Sequence, residues 1–197
     1  MSERTRRITR IGSVAGYVVA ASGAVGLVTA GLSIGAHQPW QSLNGLALLV
    51  LVAALPPLML SFYELGGLTP TGIAQLAQAV GWASALTFCT IQALHLVGVV
   101  QVDWRAPATG AFMFGSAALG YIGLWINGAN LWAGRWLGRK RWLGAIAGLA
   151  LLVFAVGLLL GGRETALATV GGIAVFLILG PAWAFLMARL LRGLSAG

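Results

Sequence analysis

Long runs without charge alternate with short polar breaks along this chain. Ile11–Gly35 holds no charged residue. A helix of that length rises about 37 Å, enough to cross a ~30 Å hydrocarbon core with some tilt. Asn44–Leu65 is a second such run, broken by Pro56-Pro57 and closing on Tyr63 and Glu64. Ala74–Val102 is the third and the most polar, Thr109–Ala133 the fourth and Trp142–Gly161 the fifth. Ala166–Leu191 is the sixth, with Gly180-Pro181 inside it. Between them lie short connections, among them Asp103–Ala108 and a four-residue turn, Gly162–Thr165. The pattern predicts an all-α polytopic membrane bundle of six transmembrane helices, forming one integral membrane domain over residues 1–197. A signal peptide is the rival reading of the first run, with small Ser33 and Gly35 before Ala36 and a Thr5-Arg6-Arg7 start that hints at a twin-arginine signal. The run is longer than the apolar core of such a signal, and further spans follow, which favours a retained helix.

Composition agrees with lipid as the main solvent. The chain is 59% hydrophobic and 8% charged, and its mean hydropathy is +0.91. A soluble domain has about 25% charged residues, so this chain lacks the means to cover a water-facing surface. The net charge of +8 comes from twelve basic residues, eleven of them Arg. They sit at the ends of apolar runs rather than interleaved on a polar face. That argues for a membrane surface with anionic head groups as partner and against nucleic acid.

The placement of those charges predicts orientation. Arg4, Arg6, Arg7 and Arg10 precede the first span; Arg135, Arg139, Lys140 and Arg141 lie between the fourth and fifth; Arg189 and Arg192 close the sixth. These ten fall on one side of a six-span chain, and only Arg105 and Arg163 fall on the other. Short cytoplasmic loops are enriched in Lys and Arg, so both termini are expected in the cytoplasm of a prokaryotic cell, with the protein in its inner membrane. Arg135, Arg139, Lys140 and Arg141 become membrane-surface anchors. Trp40, Trp104, Trp136 and Trp142 fall near span boundaries, where interfacial Trp belongs.

Candidate chemistry is concentrated in two spans. In the third, Gln75, Gln78, Trp82, Ala85, Cys89 and Gln92 recur every three or four residues, with His95 at the outer end. In the fourth, Ser116, Gly120, Gly123, Asn127 and Asn130 do the same. Such stripes turn away from lipid, toward each other or toward a cavity. They are either hydrogen-bonded seams or the lining of a substrate or ion path, through Gln78, Gln92, His95, Ser116, Asn127 and Asn130. Glu64 and His95 are the candidate proton or ion sites, since an ionisable group in a span is a functional candidate and His titrates near neutral pH. Glu64 also suits an interfacial pair with Arg10 or the basic loop. Pro56, Pro57 and Pro181 remove backbone donors within spans, and the carbonyls they free bind ions or water, or are satisfied by neighbouring helices. Rows of small residues, Gly12, Gly16, Ala20 and Ala24 in the first span and Gly144 and Gly148 in the fifth, suit close helix packing.

Catalytic motifs are missing. There is no H-E-x-x-H, G-x-S-x-G or Walker lysine loop, and no pair of carboxylates within the spans. One cysteine, Cys89, rules out an internal disulfide and a multi-cysteine metal site. No metal and no cofactor is expected.

Tyr121–Gly148 reads YIGLWINGANLWAGRWLGRKRWLGAIAG. It resembles the Trp/Asn-ended span, Arg-rich inner loop and Gly-rich next span of many small bacterial multi-pass proteins grouped as domains of unknown function. The resemblance covers under a sixth of the chain and brings no active residue with it. The expected role is a structural, regulatory or partner-binding membrane component, alone or as a homo-oligomer. One alternative is a small transporter or channel using the stripes of spans three and four. Another is a haem- or quinone-binding redox protein, with His95 and His37 on the same side.

Overall fold

The described residues, 2–32, 39–66, 72–101 and 110–196 of a computed structural model, are almost entirely helical, and no strand occurs among them. Helix α1 runs from Glu3 to Leu32, well ahead of the apolar run that begins at Ile11. Ser2 starts it: its hydroxyl accepts from the Thr5 amide at 3.1 Å, and Glu3 sits in the first turn, where a negative charge suits the helix dipole. Helix α2 (Trp40–Leu65) continues unbroken through Pro56 and Pro57. Helices α3 (Gly72–Leu96) and α4 (Gly110–Trp132) follow. The basic loop is itself wound, as a short α5 (Gly134–Leu137) and a 3₁₀ turn (Gly138–Lys140) leading into α6 (Arg141–Gly161). Gly138 makes that change of direction at φ +54°, a conformation that costs glycine little.

The last expected span is in three parts: α7 (Ala166–Gly172), a wide π-type stretch over Ile173–Leu179, and α8 (Gly180–Ala196). Thr165 caps α7, accepting from the Ala168 amide at 3.2 Å while donating to the Gly157 carbonyl at 3.0 Å. The break expected at Gly180-Pro181 is drawn out over the two turns before it. Pro181 has no N–H, and its ring crowds the carbonyl four residues earlier; widening the preceding turns relieves both.

Five stretches are long and apolar enough to cross a membrane: α1, α2, α3, Gly134–Gly161 and Ala166–Ala196. Helix α4, 23 residues long, would span about 34 Å, so its length also suffices for a crossing. The outward faces are themselves apolar: Val14, Val28, Leu86, Phe114, Leu160 and Val170 are each at least 60% exposed. A water-soluble bundle would carry polar residues there.

Successive helices pack side by side, and α8 returns to pack on α1. Neighbours run antiparallel. Ser61 of α2 donates to the Ile8 carbonyl of α1 at 3.0 Å, and Ser13 of α1 donates to the Ala188 carbonyl of α8 at 2.9 Å. The start of α1 and the finish of α8 thus share one end of the bundle with the basic loop. Small residues set the closest approaches. A Cβ on Gly123 would stand 2.6 Å from the Gly148 carbonyl oxygen, so α4 and α6 cross backbone to backbone. Gly16 lies against Ala184 and Ala188 in the same way. The core between the helices is built from Leu58, Met59 and Phe62 of α2, Ile122 of α4, Leu158 of α6 and Trp183 of α8, all essentially buried.

Candidate functional site

The polar stripe of α4 faces α6 and α8, not α3. Asn127 donates from Nδ2 to the Ala145 carbonyl at 2.9 Å, joining α4 to α6. Asn130 is fully buried and uses both ends of its amide. Nδ2 donates to the Ile126 carbonyl one turn back at 2.8 Å, and Oδ1 accepts from the Trp183 indole of α8 at 3.0 Å. Gly144 of α6 leaves the space that the Asn130 amide fills. Ser116, higher on the same stripe, is fully buried, and its hydroxyl has no hydrogen-bond partner.

The stripe of α3 faces α2 in the half away from the basic end. Gln92 is 5% exposed, and its amide nitrogen lies over Gly45 of α2. Cys89 donates weakly to the Leu49 carbonyl at 3.8 Å. Toward the basic end, Gly81 packs flat on the Trp125 ring of α4. Gln78, one turn further, has both amide atoms buried without a partner. The two stripes therefore meet different neighbours and do not enclose a common space.

A cavity does lie on the bundle axis, but its walls are apolar. It holds about 50 Å³ beside the π-type stretch, among Leu55, Ile126, Ala147, Leu151, Val175 and Trp183. No side chain of either polar stripe lines it.

The ionisable candidates stand apart. Glu64 lies at the basic end of α2, where its carboxylate accepts from the Thr5 hydroxyl at 3.1 Å and sits 3.9 Å from Arg4 Nε. Its partner is thus Arg4, not Arg10 or the basic loop, because α1 continues past Arg10 and carries its first turn across the end of α2. His95 is at the opposite end of α3, where Nδ1 meets the Val100 carbonyl at 3.2 Å as the chain turns. His37, Asp103, Trp104 and Arg105 lie outside the described residues. So do Ser33, Gly35 and Ala36. No group of three or more His, Cys, Asp or Glu side chains occurs among the described residues.

The basic end is the most charged surface. Arg135, Arg139 and Lys140 are exposed; Arg141 is half-buried, its guanidinium 5.2 Å from the centre of the Trp142 ring. Trp136 and Trp142 are themselves about half exposed. Arg4, Arg6, Arg7, Arg10, Arg189 and Arg192 are exposed on the same end.

Trp183 is the one member of the polar seam that sequence reading does not single out. The signal lay in its position: a Trp inside a span rather than at its boundary needs a partner for its N–H. No protein family matches the chain, and no curated protein or solved structure is measurably similar to it.

Proposed function

We propose that this chain is a six-span integral protein of a prokaryotic inner membrane, with both termini cytoplasmic, and that it serves as a structural or partner-binding component. The observation that carries the role is the use made of the α4 amides. Asn127 and Asn130 spend their hydrogen bonds joining α4 to α6 and α8, while the axial cavity is apolar. A water or ion path needs polar groups facing a common space. The orientation is supported by the ten basic residues gathered at one end of the bundle.

The test is thiol accessibility. With Cys89 replaced by Ser, Asn127→Cys and Gln92→Cys are introduced singly and treated in intact membranes with a water-soluble maleimide. Both are expected to stay unmodified; rapid labelling of either would overturn the seam reading in favour of a path. The transporter or channel alternative keeps one observation of its own, the unpartnered polar atoms of Gln78 and Ser116. The redox alternative is separated by an absorption spectrum of the purified protein, in which a Soret band would favour haem.

A further inference from the structure

Helices α1 and α2 pack against each other along their length, with Gly23 against Leu51 in the middle. At the basic end, Thr5 meets Glu64 and Ser61 meets Ile8; at the other end, Gly26 lies against Asn44 and Ala47. On the outer side of this contact lies a shallow, wide-open groove of about 460 Å³, lined by Arg10, Ile11, Val14, Ala15, Ala54 and Pro57. Its origin is local. Ala15 and Ala54 are too small to fill the outer side of the helix contact, and Pro57 presents a ring in place of a backbone N–H. Ile11 and Val14, 50% and 61% exposed, form the outer wall.

Arg10 closes one end of this groove. Among the described residues it has no acidic side chain within ion-pair distance, since Glu64 is engaged by Arg4 and Thr5. Arg6 lies one helical turn toward the end of the bundle on the same side of α1, and Arg7 three residues from Arg10; both are exposed. Arg10 stands inside the end of α2 by roughly one turn, opposite the stretch between Pro57 and Ser61. From there its stem can run along apolar surface while the guanidinium reaches the head-group layer. The arrangement is an apolar trough at acyl-chain depth, headed by a free planar cation at phosphate depth.

We propose that this groove is a binding site for one anionic phospholipid of the leaflet that meets the basic end. An acyl chain lies along Ala15, Ala54 and Pro57 between Ile11 and Val14, and Arg10 holds the phosphate. Guanidinium suits that role because it offers two parallel N–H donors to phosphate oxygens. Arg6 and Arg7 add attraction without defining the site. The site rests on the membrane placement proposed above, but not on which side of the membrane the basic end faces.

The test uses the full chain, purified from the membrane fraction and freed of lipid in detergent. Recovery from that fraction checks the placement separately, so its failure is not confused with failure of the site. Native mass spectrometry is run with phosphatidylglycerol and with phosphatidylcholine of the same acyl chains. The wild type is expected to retain one phosphatidylglycerol about fivefold more readily, the scale of one Arg near an anionic surface. Arg10→Gln removes that preference. Ala54→Phe fills the trough and loses phosphatidylglycerol to a similar degree with charge unchanged. Arg189→Gln, an equal loss of charge elsewhere on the basic end, retains it. Should Ala54→Phe not yield a monodisperse protein, Val14→Trp blocks the opposite wall. Wild-type retention in the filled-groove variant, or equal losses in Arg10→Gln and Arg189→Gln, would overturn the site in favour of diffuse surface charge.

Discussion

The Trp183 indole donates to Asn130 Oδ1 across 3.0 Å, between two side chains 53 positions apart and both buried. This bond ties α8 to α4 over the α6 glycine that makes room for the amide. Removing the amide strands the indole N–H. Asn130→Ala is expected to lower stability by about 1–3 kcal/mol, the cost of a buried unmet donor. Trp183→Phe also thins the contact with Phe62, whose ring centre is 6.2 Å away. A double-mutant cycle by thermal unfolding in detergent is expected to give a coupling of about 0.6 kcal/mol, and up to ~1.7, as for other interhelical bonds in membranes. Full additivity of the two losses would mean the bond contributes nothing.

Gly123 and Gly148 bring the backbones of α4 and α6 into contact, so each is expected to reject a methyl group. Gly148→Ala should cost about 1–3 kcal/mol through forced separation of α4 and α6. Gly128, on the same helix, has nothing within 4 Å of a Cβ. Gly128→Ala is expected to gain about 0.5–1 kcal/mol. Comparing the two unfolding midpoints separates the crossing from the general effect of replacing glycine.

Gln78 buries both amide atoms without a partner. If the bundle there is only packed, Gln78→Leu removes an unsatisfied group and is expected to raise stability by about 1 kcal/mol or more. A loss instead would show that the amide is solvated by something bound, which favours the transport alternative.

Glu64 pairs with an Arg4 that is 81% exposed. Exposed pairs of this kind contribute little, so Glu64→Gln is expected to change stability by less than about 1 kcal/mol, and less again at high salt. A larger loss, measured by the same thermal scan, would mark the carboxylate as more than a tether for the first turn of α1.

Replacing Arg135, Arg139, Lys140 and Arg141 together by Gln is expected to disturb insertion of the two helices that flank them. Paired reporters fused after Gly197, one active only in the cytoplasm and one only outside it, read the result. The unaltered chain should light the cytoplasmic reporter alone. Unchanged topology and yield in the neutralised variant would show that the other basic residues suffice.

Helix placement was largely readable in advance because it depends on local properties. Apolar length marks α2, α4 and α6 to within four residues, and Thr165 with Gly162 marks the turn before α7. Helix α3 ends at Leu96, six residues before the Val102 that the apolar run predicts, because the chain turns at Gly98 with φ +77°. The start of α1 was missed because Arg6, Arg7 and Arg10 read as a loop, whereas Ser2 caps a helix that carries them. The breadth of the distortion before Pro181 was missed too, since a proline reports that a helix must adapt but not over how many turns.

The residues themselves determined an all-helical chain, its apolar exterior, its breaks and the gathering of ten basic side chains toward alternate ends. Those follow from hydropathy and spacing, which act along one dimension. Helical spacing also grouped Ser116, Gly123, Asn127 and Asn130 on one face. It could not say which helix stands opposite that face. Only the packing decided that Asn130 answers Trp183 and Asn127 answers Ala145, that Gln92 turns to α2, and that Arg10 heads a trough floored by Pro57. A side chain's direction around its own helix is set by the local backbone, whereas its partner is set by how whole helices dock.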